Sequence, residues 1–269
     1  MLNKIKSAVA RELSRGCEKF RGIHDGETCY IIGDGPSVKW FDLSAFSDHP
    51  AICCGFLPFH KDFKKLDVRY CTMIEPWLFA PEFMQPDLPA ITEFRRVAKE
   101  YRSIIKSNPD KQFFVHYSNY LWIIRENVNT IFKELPKSKN KLIEQLRQFD
   151  CFGGSFHAAL SLAYYMGFKK LYLIGFDGWT IQPAREFHWY ELGEGSFYEP
   201  ENLAAEYLNL LQTEVEICAI AYDGHSKNVK CISYETYTGK PPMFRENNEL
   251  LSEYYLDVLA TYPEYKIRD

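Results

Sequence analysis

The sequence predicts an α/β fold: a mostly parallel sheet with helices on both faces, in a single domain spanning residues 1–269. Three features predict it. Short apolar runs recur at intervals of about 20 residues, joined by polar or helical connections, which is the rhythm of parallel βαβ units. One of them, LYLIGFD (171–177), reads as a strongly buried strand. An apolar helix, FHAALSLAYYMGF (156–168), leads into that strand, and its small residues Ala158, Ala159, Ser161 and Ala163 suit close packing on a sheet.

The elements follow in chain order. Residues 1–20 read as an amphipathic helix, with Leu2, Ile5, Val9 and Leu13 on one face. Lys4, Lys6, Arg11, Arg15 and Lys19 surround that face, so the helix either packs on the domain or lies on an anionic membrane surface. TCYII (28–32) reads as the first buried strand, and GDGPS (33–37) turns the chain. A short helix begins within 42–46. AICCGF (51–56) and DVRYCTMI (67–74) are the next strands, the latter ending at Glu75-Pro76. A helix is expected over 91–106, a strand over QFFVHYS (112–118), and helix-forming charged sequence over 121–149. Gly153-Gly154-Ser155 opens the apolar helix, and Gly167 is its expected C-cap. Residues 178–200 combine Gly, aromatic and charged residues without a period, the composition of an active-site loop or mobile lid. A long helix over 201–221, a strand over VKCISY (229–234) and a helix over 246–260 complete the chain.

Composition narrows the function. With 46% hydrophobic and 25% charged residues the chain is globular, not disordered. No apolar run reaches the ~18 residues of a membrane span. Its 32 basic and 36 acidic residues give a net charge of −4, which argues against wholesale nucleic-acid binding. The eight cysteines include no Cys-x-x-Cys pair and several lie inside strand-like runs, so they read as reduced core residues of a cytosolic protein. The aromatic content, 16%, is high, and Phe176, Trp179, Phe187, Trp189, Tyr190, Phe197 and Tyr198 crowd around one strand end. That density suits a cleft that stacks rings on a sugar or a base.

Candidate chemistry gathers at strand ends. Gly33 and Gly35 follow the first strand, where glycines admit close backbone approach and exposed N–H groups hold phosphate. Asp34 between them could accept hydrogen bonds from a sugar or base. The pattern is neither Gly-x-Gly-x-x-Gly nor a Walker loop. Asp177, with Gly178 and Trp179, ends the buried strand at 171–177. His188 lies in the aromatic loop and could serve as a general base near neutral pH. Tyr190 and Tyr198 offer hydroxyl donors, and Arg185 a charge, for a leaving phosphate. Asp-x-Asp, His-x-x-x-His and Gly-x-Ser-x-Gly are all absent from the sequence.

Three segments together, IIGDGPSVKWFDLSAF (31–46), YCTMIEP (70–76) and GGSFHAALSLAYYMGFKKLYLIGFD (153–177), resemble the bacterial sialyltransferases of glycosyltransferase family 42 and the related motility-accessory-factor proteins. The resemblance covers roughly 28–80 and 150–235. It implies a single Rossmann-like domain of variant GT-A type with a mobile lid. It also implies a metal-independent mechanism without a cofactor and a CMP-activated nonulosonic acid donor. Carried over, the family's turn falls on Gly33, Asp34, Gly35, Pro36 and Ser37. Its donor-contacting helix start falls on Gly154 and Ser155, its acidic strand end on Asp177, and its following aromatic on Trp179. Asp34, Gly55 and Glu75 stand where those sialyltransferases carry Asn.

These readings lead to an inverting glycosyltransferase with a nucleotide-sugar donor and a glycan acceptor. It would be cytoplasmic, with peripheral attachment at the inner face of the membrane and homo-oligomerisation as further expectations. Two alternatives stay open. An archaeal pterin pyrophosphokinase of the same broad superfamily would need ATP and magnesium, for which Asp34, Glu75 and Asp177 are natural ligands. A non-catalytic binding module would bind no nucleotide at all.

Overall fold

The computed structural model describes residues 12, 15–81, 91–131, 154–177, 188–190, 208–209, 211–226 and 229–260. Eight strands form one sheet: β1 (Thr28–Ile32), β2 (Ala51–Cys54), β3 (Val68–Met73), β4 (Gln112–His116), β5 (Val128–Ile131), β6 (Lys170–Ile174), β7 (Glu216–Ala221) and β8 (Lys230–Ser233). Their order is β5-β4-β3-β2-β1-β6-β7-β8, and every neighbouring pair is parallel. This is a doubly wound sheet, the α/β class the sequence predicts.

A parallel sheet buries both faces, and the strand residues divide accordingly. Tyr30, Ile32, Cys53, Met73, Val115 and Ile174 join one core with helix α1 (Ile91–Ser107) and the C-terminal segment. Cys29, Ile31, Ile52, Phe114 and Leu173 join the other, beneath helix α2 (Ser155–Met166). In α1 the buried positions Phe94, Val97, Ala98, Tyr101, Ile104 and Ile105 follow the three-to-four spacing of one helical face. In α2 the run Ala158 to Ala163 is buried all round, and Gly167 ends the helix at φ 95°, donating its N–H to Ala163 O and Tyr164 O.

Four expectations need correction. Residues 216–221 are strand β7, not the end of a helix. The run EICAIA is apolar on both faces of the sheet, and such a run has no period to separate strand from helix. Residues 128–131 form strand β5 inside the stretch expected to be helical, because VNTI pairs with β4 at the sheet edge. The C-terminal helix is two helices, α4 (Asn247–Leu250) and α5 (Glu253–Ala260), separated at Leu251 by extended backbone; they follow α3 (Tyr234–Thr238). Arg15–Phe20 is a 3-10 helix that buries Cys17 and Phe20, not the end of a regular amphipathic helix. The apolar face assigned to residues 2–13 lies outside the described residues.

The seven described cysteines are free, six of them buried and Cys231 half-buried, as the reduced-core reading expects. Among the described residues no helix is long and apolar enough to cross a membrane.

Candidate active site

From β1 the chain proceeds to β2 on one side, and β6 later inserts on the other. The carboxyl ends of β1 and β6 therefore mark the switch point where ligands bind in open α/β sheets. The ladder continues past both strands: Gly33 N donates to Ile174 O at 2.8 Å and Gly35 N to Gly175 O at 2.8 Å. A Cβ on Gly33 would lie 2.6 Å from Gly175 O, and one on Gly35 would lie 2.4 Å from Asp177 Oδ2. The tight approach these glycines permit is thus to the neighbouring loop. Pro36 starts the 3-10 helix Pro36–Trp40, and Ser37 N donates to Asp177 Oδ2 at 2.7 Å. The second oxygen, Asp177 Oδ1, is buried and has no hydrogen-bond partner among the described residues. Burial pushes the Asp177 carboxyl up to about 6, against the opposing pull of hydrogen bonding from Ser37.

Beside this junction lies a cavity of about 180 Å³. Asp34 comes to it from just past β1, and Cys54, Gly55 and Phe56 from the end of β2 and just past it. Met73 and Glu75 come from the end of β3 and just past it, Ser155 and Phe156 from α2, Phe176 from just past β6, and His188 from the segment 188–190. Its volume is below the ~300–1,000 Å³ of sites that enclose a whole drug-sized ligand, so it suits the reacting part of one.

Asp34 organises the cavity. Its Oδ2 accepts from Phe56 N at 2.9 Å and its Oδ1 from Trp189 Nε1 at 3.2 Å. Its backbone carbonyl accepts from Trp189 N at 3.0 Å. Gly55 has φ 56°, and a Cβ there would lie 1.7 Å from Asp34 Oδ2. The carboxylate occupies the space that any other residue at 55 would fill. Burial pushes the Asp34 carboxyl up to about 6, while the nearby His188 imidazole and the N–H donors pull it down.

Glu75 is held from behind. Asn119, fully buried, donates from Nδ2 to Glu75 O at 3.0 Å and accepts from Phe79 N at 3.0 Å. The N-terminus of α2 opens beside Ser155. Its N-cap Gly154 supplies no side-chain cap and its first turn carries no acidic residue, so the positive end of the helix dipole opens beside the cavity. His188 stacks on Tyr190, with ring centroids 5.2 Å apart and planes 14° from parallel. Tyr190 is buried in the core with its edge against Phe56, and its carbonyl accepts from Asn247 Nδ2 at 3.1 Å. Trp189, between them in sequence, is fully buried against His60. Burial pushes His60 down to about 4, and its Nδ1 accepts from Asp62 N.

The structure thus brings Asp34, Gly55, Glu75, Ser155 and His188 around one cavity and sets Gly154 at the start of the adjoining helix. It puts Gly33, Gly35, Pro36, Ser37 and Asp177 in the loop junction alongside and Tyr190 beneath His188. Gly178, Trp179, Arg185 and most of the lid lie outside the described residues. Among the described residues no group of three His, Cys, Asp or Glu side chains could hold a metal ion. Sequence reasoning missed Phe156, whose ring meets Phe176 at 4.6 Å on the cavity wall, and missed Trp189 as a hydrogen-bond donor. The dense aromatic stretch around residue 188 was the signal for the second; nothing in the sequence singled out the first.

Fold and site together define a doubly wound α/β protein with a polar cleft at its switch point. Among solved structures, the chain is similar to a MAf glycosyltransferase from Magnetospirillum magneticum AMB-1, with 12% identity and a TM-score of 0.45. That match covers 93% of this chain and 41% of the other, so the chain spans less than half that protein's length. It is also similar to the sialyltransferase CstII from Campylobacter jejuni in complex with CMP-3FNeuAc (15% identity, TM-score 0.42, covering 85% and 97% of the two chains). A variant of the sialyltransferase CST-II in complex with CMP matches at 14% identity and a TM-score of 0.46, with the same coverage. No protein-family model and no curated protein matches the chain.

Proposed function

We propose that the protein is an inverting glycosyltransferase that moves a sugar from a nucleotide-activated donor to an acceptor hydroxyl. The observation that carries this reading is the pairing of groups around one cavity: a histidine and the N-terminus of a helix. His188 takes the proton from the acceptor hydroxyl as its oxygen bonds to the donor sugar carbon. The bond from that carbon to the nucleotide phosphate breaks, and the departing phosphate is received at the start of α2, beside Ser155. Tyr190 supports the imidazole from below. Glu75, which lines the same cavity, offers acceptor oxygens to sugar hydroxyls or base amino groups.

The donor class, CMP-sialic acid or a similar nonulosonic acid, follows from the residue resemblance, as does the metal-independent mechanism. The acceptor on this reading is a surface glycan or glycoconjugate, met at the cytoplasmic face of the membrane.

Thermal-shift measurements with CMP, CDP, UDP and ATP, each with and without magnesium, test the reading. Stabilisation by CMP without metal is expected. His188→Ala should then lower turnover by ~10²–10⁴ while nucleotide binding survives. Stabilisation by ATP and magnesium alone would instead support a pyrophosphokinase-like transferase. No stabilisation by any nucleotide would support a binding module.

A further inference from the structure

We propose that Asp34 is the positioning residue that holds His188 in the cleft, and that it must be a carboxylate to do so. The proposal rests on the reading of His188 as the base and concerns how that base is held.

The argument starts from hydrogen-bond polarity. Phe56 N–H and the Trp189 indole N–H are both donors and meet different oxygens of the same carboxyl group. An ionised carboxylate presents only acceptors and satisfies both. The carboxamide of Asn has nearly the same shape but one oxygen and one NH₂. In either orientation it turns a donor against a donor. Asp34 also grips Trp189 a second time, through its backbone carbonyl. The neighbour of Trp189 in sequence is His188, which faces the cavity.

The space for this arrangement is built in. Gly55 leaves room for the carboxylate where a Cβ would collide. On its far side the segment is tied through Asn247 to the Tyr190 carbonyl. Asp34 therefore holds Trp189 and Asn247 holds Tyr190, and of the two only Asp34 lines the cavity.

The test compares Asp34→Asn, His188→Ala and the double variant in steady-state turnover, with the Trp189 indole N–H followed by NMR and assigned with Trp189→Phe. In the parent protein this N–H should resist exchange with solvent, and in Asp34→Asn that protection should be lost. Turnover of Asp34→Asn should fall ~10- to 100-fold, as for a misplaced catalytic group, with donor KM changed less than ~3-fold. The double variant should be no slower than His188→Ala alone, because Asp34 acts through His188. Trp189→Phe, which removes one donor and keeps a ring, should lose turnover in part.

Full turnover with retained indole protection in Asp34→Asn would overturn the proposal. Additive losses in the double variant would also overturn it, since Asp34 would then act on the substrate itself. If His188→Ala kept full activity, the function reading would fail instead. The indole protection would still report whether Asp34 holds the segment.

Discussion

Asp177→Asn tests how burial acts on the loop junction. The Asp177 carboxyl is raised from its ordinary 3.8 to about 6, chiefly because burial penalises its charged form. An acid raised in this way favours the folded state most while protonated. Its contribution is complete below the unfolded value of 3.8 and is lost as pH rises through about 6. The two-unit gap corresponds to about 3 kcal/mol at ~1.4 kcal/mol per unit, an upper figure for the difference between acid and neutral conditions. Asn keeps an oxygen for the Ser37 N–H and cannot ionise, and the position of Oδ1 has no partner among the described residues. Urea unfolding of both proteins from about pH 4 to pH 8 measures the effect. Stability of the variant relative to the parent should rise by ~2–3 kcal/mol across that range, the change falling between about 4 and 6. Asp34 titrates in both proteins and cancels in the difference. A stability difference independent of pH would refute the assignment of the shift to burial of this carboxyl.

Two further outcomes follow from the same geometry. Gly55→Ala forces a Cβ to within 1.7 Å of Asp34 Oδ2 at φ 56°, so denaturant unfolding should record a loss of more than ~2 kcal/mol. A near-neutral result would mean that the carboxylate can leave this position freely. Burial pushes the Cys17 and Cys54 thiols up to about 12, so at neutral pH a maleimide should modify them only as fast as the chain unfolds. Peptide mass spectrometry would check this, and rapid native labelling of either cysteine would contradict it.

The sheet was legible wherever a strand forms a short apolar run flanked by turn residues, as TCYII, AICC and LYLI do. It was not legible at EICAIA, where an unbroken apolar run carries no period, nor at VNTI, whose Asn129 and Thr130 are polar yet buried at the edge. In the site, His188 stood out because it is a titratable ring in an aromatic loop. The glycines of 33–35 were legible as a turn, but the groups that require them, Gly175 and Asp177, lie about 140 residues away and become neighbours only through the β1–β6 pairing. The dependence of Asp34 on Gly55 was likewise hidden. It is a relation between two strand ends, and each residue alone reads as ordinary.

The strand order also shapes how the chain comes into being. β1 is central, yet one of its two partners, β6, begins at Lys170. During synthesis the first five strands emerge well before β6. At ~5–20 residues per second, β1 would wait on the order of ten seconds or longer with one edge open. That edge is fully apolar from Cys29 to Ile32, and an uncovered row of N–H and C=O groups on such a strand invites pairing with another nascent chain. The connection that builds the cleft at the switch point therefore also makes the unfinished polypeptide dependent on protection before β6 arrives.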